Sequence, residues 1–130
     1  MAAFTLTGFK TKAFGSVPTY IDSASEDITA GEAITNNGDV VDPTTSTKYD
    51  IGGVAIADVD TGGQVAIARA GDTVEVSNTL TAHRTLVVKA NGQHDYEDQL
   101  ASGEEHIILG YTIDANTIYL QCIDTGNAKT

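Results

Sequence analysis

Gly62-Gly63-Gln64-Val65-Ala66-Ile67-Ala68-Arg69-Ala70-Gly71-Asp72-Thr73-Val74-Glu75-Val76 is the stretch that decides the fold. Asp60-Thr61-Gly62-Gly63 reads as a hairpin turn, because glycine accepts the positive φ that tight turns require. Val65 and Ile67 then alternate with smaller or polar positions. Gly71-Asp72 turns the chain again, and Val74 and Val76 take one face while Thr73 and Glu75 take the other. Two short strands of period two between tight turns are the signature of β structure.

The same grammar continues on either side. Ile28 to Ile34 leads through Asn36-Asn37-Gly38-Asp39 into Val40-Val41, and the Asn-Gly pair suits a type I′ hairpin. Asp42-Pro43 ends that strand, and a polar loop from Thr44 to Lys48 follows. Tyr49 to Ala57 runs through Gly52-Gly53, where a strand bulges or bends. Downstream, Arg84 to Ala90 reads as a strand, and the polar stretch His94 to Glu105 as a loop or one short helix containing Leu100 and Ala101. His106 to Asp114 and Thr117 to Ile123 form a hairpin around Ala115-Asn116 with two strongly apolar strands.

These elements predict an all-β fold, a small single-domain β-barrel or β-sandwich with an extended N-terminal arm. No fixed-period repeat or long linker argues otherwise. The expected division is an arm over residues 1–27, a β domain over 28–124 and an exposed tail over 125–130. The expected core contains Val54, Ile56, Val65, Ile67, Val74, Val76, Val87, Ile108, Ile118 and Leu120, with Asn37-Gly38 and Gly62-Gly63 exposed at turns.

The first 27 residues differ from the rest, because Phe4, Phe9, Phe14 and Tyr20 are spaced through a Thr, Lys and Gly background with little periodicity. All three phenylalanines of the chain lie here. Such segregation predicts an arm that packs along its own domain or onto a neighbour, with these four rings as candidate partner-binding residues.

At 130 residues the chain fits one domain, and a domain of that size buries roughly two thirds of the surface of its unfolded chain. Eighteen acidic residues against seven basic ones give a net charge of −11, spread along the chain. That balance argues against nucleic acid as a partner and for a solvated surface. No stretch approaches the roughly 20 apolar residues of a membrane span, and no signal peptide is recognisable, so a soluble protein made in a cytoplasm is expected. Cys122 is the only cysteine and reads as a buried apolar thiol.

Motifs that carry chemistry are wanting. Asp58-Val59-Asp60-Thr61-Gly62-Gly63 begins like a calcium loop, but Arg69 stands where the bidentate glutamate of an EF-hand belongs. His83, His94 and His106 lie eleven and twelve residues apart, which fits no zinc-site interval, and they read as surface histidines. His94, Asp95, Glu97 and Asp98 have the residue types of a metal site but read as an exposed polar loop. No Gly-x-Ser-x-Gly elbow or phosphate-binding glycine loop occurs, so neither a catalytic residue nor a cofactor is expected.

Ala30-Gly31-Glu32-Ala33-Ile34, Gly38-Asp39-Val40-Val41, Gly52-Gly53-Val54-Ala55-Ile56-Ala57, Gly62 to Ile67 and Gly71 to Val76 together resemble, in style and order, the small head-decoration or capsid cement proteins of tailed bacteriophages. The resemblance covers about residues 28–76 and rests on β-turn and β-strand phrases. It implies a non-enzymatic β-rich domain on the outer surface of a mature capsid, bound to the major capsid protein as a homotrimer and stabilising the head. It assigns no individual functional residue. A carbohydrate- or receptor-binding module on a virion is the alternative, for which Tyr96 and the acidic residues around it are the candidates, and a tail structural subunit is another.

Overall fold

A computed structural model describes residues 3–8, 10–11, 19–44 and 50–128. Ten strands follow in order: β1 Lys10–Thr11, β2 Thr19–Ile21, β3 Ala33–Thr35, β4 Ile51–Ala55, β5 Val65–Ala68, β6 Thr73–Glu75, β7 Thr85–Val88, β8 His94–Tyr96, β9 Glu105–Asp114 and β10 Thr117–Ala128. Single 3-10 turns occupy Ala90–Gly92 and Glu97–Gln99. The strands form two antiparallel sheets, a larger one in the order β1-β6-β10-β9-β7-β8 and a smaller one in the order β2-β5-β4-β3. The fold is therefore all-β, and the sheets face each other without closing into a barrel.

The chain passes between sheets at the turn read from Gly71-Asp72. There Asp72 N–H donates to the Arg69 carbonyl at 3.0 Å, and the Asp72 carboxylate accepts from Arg69 N–H at 3.0 Å. Between the sheets lies the principal core. Ala33, Val54 and Ala68 come from the small sheet, and Val74, Leu86, Ile107, Leu109, Ile118 and Leu120 from the large one.

A second apolar cluster covers the opposite face of the small sheet and joins Ile34, Ala55, Val65 and Ile67 to Ala24, Ile28 and Val40. The segment that follows β2 supplies this cover. It is tied down by backbone bonds from Ala24 to Gly63, from Gly62 to Ala24 and, in both directions, between Ile28 and Val59. A strand buried on both faces needs apolar side chains in both phases. The adjacent pairs Ala33-Ile34, Val54-Ala55 and Ile67-Ala68 meet that need.

The described part of the N-terminal segment packs along its own domain. Phe4 and His94 exchange both backbone hydrogen bonds at 2.8 Å, Leu6 enters the principal core, and β1 pairs with β6 at the other edge of the large sheet. Phe4 thus lies at one edge of the large sheet, and Lys10–Thr11 form the edge strand at the other. Gly31 makes the crossing possible, because at its φ of +91° any Cβ would collide with the Leu6 carbonyl.

Several expectations are corrected. Ile108 is half-buried, because Leu109 and Gly110 both face inward and shift the register against β7, putting Ile107 and Leu109 in the core instead. Ile56 is also half-buried, lying just past the end of β4 against the core. Gly38 is buried under the Ser23 carbonyl, whereas Asn37 and Gly62 are exposed and Gly63 is half-buried. Residues 94–99 form β8 and a 3-10 turn. β10 runs on to Ala128, where the Thr125 hydroxyl donates to the His106 carbonyl at 2.7 Å.

Candidate interaction surface

The long hairpin of β9 and β10 occupies the middle of the large sheet, and its register places side chains opposite one another on the outward face. Tyr111 lies across from Tyr119, and Ile108 across from Ile123. Ile113 continues the same phase of β9. Tyr111, Ile113, Tyr119 and Ile123 are each between 39% and 45% exposed, so the face is apolar and uncovered. Single exposed apolar residues are ordinary, but a contiguous stripe marks an interaction surface.

The stripe is held rigidly from below. Ile118, Leu120, Ile107 and Leu109, which alternate with it along the same strands, are fully buried. To one side, residues 97–104 fold back onto the sheet: Glu97 meets His106 at 2.9 Å, and Lys89 meets Glu104 and donates to the Gln99 carbonyl at 3.1 Å. Val87, in the same phase as Lys89, is buried there. That cover stops short of Tyr111, whose hydroxyl lies 3.3 Å from His83 Nδ1.

The four aromatic candidates are not brought together by the described structure. Phe4 is half-buried against the core, with its ring 6.5 Å from that of His94 and 6.1 Å from that of Tyr96. Tyr20 is exposed on β2 of the other sheet, and Phe9 and Phe14 lie outside the described residues. Tyr96, the candidate for glycan stacking, is buried with its hydroxyl accepting from Thr81 N–H at 2.8 Å and the Arg84 guanidinium 4.7 Å above its ring. It cannot offer a face to a ligand.

Histidine also departs from expectation. His94 is fully buried, with Nε2 2.8 Å from the Gly31 carbonyl and Nδ1 without a hydrogen-bond partner. Nε2 therefore carries the proton, and burial pulls the pKa down to about 4. Its polar spacing hid this position, because the apolar company of His94 comes from residues distant in sequence. His83 is exposed and His106 half-buried.

The acidic residues near the suspected calcium loop serve the backbone. Asp58 accepts from Ala30 N–H at 2.8 Å, and Asp27 accepts from both the Thr61 amide and its hydroxyl, bonds that lower its pKa. Asp95 is buried and accepts from the adjacent Tyr96 N–H. Among the described residues no three His, Cys, Asp or Glu side chains are placed to hold a metal ion. Cys122 is half-buried at a bulge of β10 with φ +49°, and burial, with the nearby Asp72 carboxylate, pushes its thiol up to about 12. A thiol so protonated is a poor nucleophile.

No model of a known protein family matches the chain, and no curated protein matches it.

The stripe was missed at the level of sequence, although a signal for it exists. Ile107, Leu109, Ile118 and Leu120 fill one phase of the hairpin, and Tyr111, Ile113, Tyr119 and Ile123 fill the other. A hairpin with one solvated face alternates apolar with polar residues. Apolar residues in both phases require two covers, and among the described residues only one is supplied over Tyr111, Ile113, Tyr119 and Ile123.

Proposed function

We propose that this chain is a non-enzymatic structural protein of a virus particle, one that binds the outer surface of a tailed-bacteriophage capsid and stabilises the mature head. The observation that carries the proposal is the exposed outward face of the central strands of the large sheet, with Tyr111 opposite Tyr119 and with Ile113 and Ile123 in the same outward phase. The resemblance of residues 28–76 to capsid cement proteins supplies the setting. Such a face suits docking by burial, since each large apolar side chain taken fully out of water contributes about 1.5–3 kcal/mol before the costs of association. The major capsid protein is the proposed partner. A homotrimer would engage several capsid subunits together, so that weak contacts sum into a strong one. The net charge of −11 keeps free copies apart at high concentration.

The test is co-sedimentation of the purified chain with expanded heads that lack it, comparing the native protein with a Tyr119→Ser, Ile123→Thr double variant. Deleting residues 1–27 would be a poor comparison, because it removes Leu6 from the core. Saturable binding by the native protein, at least about tenfold weaker in the double variant, is the expected result. A folded native protein that stays in the supernatant at micromolar concentration sinks the proposal.

A further inference from the structure

An open cleft of about 500 Å3 lies beside the small sheet, a volume within the range of small-molecule sites. Tyr20, Asp22, Asn36, Asn37 and Arg69 line it. What sets these five apart is that their side chains are uncommitted. Elsewhere in the same sheet and its cover, Ser25, Asp27, Glu32, Thr35 and Asp58 all engage their side chains in internal hydrogen bonds. None of the five lining residues makes a side-chain hydrogen bond or ion pair to another described residue. Arg84 and Lys89 are paired with Asp98 and Glu104, so an unpaired Arg69 in a chain of charge −11 is conspicuous.

The geometry of the backbone keeps the groups in place. Asn36 N–H donates to the Asp50 carbonyl at 3.0 Å, and Asn37 N–H is held by the Thr35 hydroxyl at 3.3 Å. Gly52 also lines the cleft, and a Cβ there would stand only 2.7 Å from Asn36 Oδ1, so glycine is what leaves room for the amide. Tyr20 is 52% exposed on the edge strand β2, its ring open to a ligand.

We infer that this cleft is a binding site for an acidic saccharide, a pyranose ring bearing a carboxylate. The C–H face of such a ring packs on the Tyr20 ring, whose face is electron-rich. Its hydroxyls meet Asn36, Asn37 and Asp22, which together supply both donors and acceptors. Its carboxylate meets the Arg69 guanidinium, which matches a planar carboxylate with two parallel N–H donors. A phosphate ester fits less well, because a second negative charge would face Asp22 in an already acidic protein with one cation to answer it. The site lies on different residues from the apolar face of the large sheet, and it stands whether or not that face binds a capsid.

The experiment is an amide-shift titration of the intact, isotope-labelled chain with galacturonic acid trisaccharide, repeated with neutral galactotriose. The expected result is saturable shifts at residues 20–22, 36–37, 52 and 69, with the neutral sugar at least about tenfold weaker, matching the loss of a charged hydrogen-bond pair. Arg69→Gln should abolish the preference for the acid, and Tyr20→Ala should weaken both sugars, each with the melting temperature of the native protein. Gly52→Ala, which displaces Asn36 without touching a charged group, should weaken both sugars alike. Equal affinity for the two sugars, shifts mapping elsewhere, indifference to Arg69→Gln, or no response up to about 20 mM would each overturn the inference.

Discussion

The central strands of the small sheet, β4 and β5, are sealed on both faces, and the central strands of the large sheet, β9 and β10, on only one. In the small sheet, neighbouring residues such as Val54 and Ala55 go to different apolar clusters, and each cluster is closed by chain from elsewhere in the molecule. In the large sheet, Ile118 and Leu120 are sealed while Tyr119 and Ile123 on the same strand face solvent. Equal apolarity in sequence therefore has two meanings. Where the chain provides the second cover, it contributes to stability; where the described residues provide none, the apolar face stays in solvent, which is what the proposed docking role uses.

Truncations should separate these two meanings sharply. Ile34→Ala in the small sheet, and Leu6→Ala in the segment that crosses between sheet edges, each empty a fully enclosed position and should cost about 2–5 kcal/mol in urea unfolding. A cost under about 1 kcal/mol for Leu6→Ala would mean that the N-terminal segment is appended to the fold and not built into it.

Acid should act through His94, next in size. Its folded pKa of about 4 lies below the ordinary value of 6.5, so as pH falls the unfolded chain takes up the proton first. The stability associated with neutral His94 is complete above pH 6.5 and declines between 6.5 and about 4, by about 3 kcal/mol in total. Glu32 works the other way, because burial raises its carboxyl pKa and favours the folded state on protonation. Urea midpoints at pH 7, 5.5 and 4.5 read the sum, and His94→Gln should flatten the slope. An unchanged slope in that variant would remove His94 as its source.

On the bare face the effect should be smallest. Ile113→Ala and Tyr119→Thr should each change stability by no more than about 0.5 kcal/mol, since neither side chain is enclosed. A loss comparable to that of Ile34→Ala would show that the stripe stabilises the isolated fold and would erase the distinction between the sheets.

Much of this arrangement was legible in the residues. The turn at Asp60 to Gly63, the chain reversal at Gly71-Asp72, and the closing hairpin around Ala115-Asn116 all stand where local turn chemistry puts them. Val54, Val65, Ile67, Val74, Val76, Val87, Ile118 and Leu120 are buried as alternation predicts. What escaped depended on contacts distant along the chain. Leu6 is buried by strands that follow it by many residues, His94 by the turn at Gly31, and the displacement of Ile108 by a bulge that periodicity does not announce. The cleft escaped for the same reason: Tyr20, Asn36 and Arg69 belong to three different stretches that only the pairings of β2 with β5, β5 with β4 and β4 with β3 draw together.

The N-terminal crossing bears on how copies of this protein meet. An open sheet edge invites another chain to add a strand, which is the common route from crowding to fibres. Here Phe4 engages the backbone of β8 on one margin of the large sheet, and on the other β6 is covered by the two-residue strand β1, a terminal strand too short to template a long ladder. Association through that sheet is thereby directed to its broad side, where side-chain shape discriminates between partners as a generic backbone ladder does not.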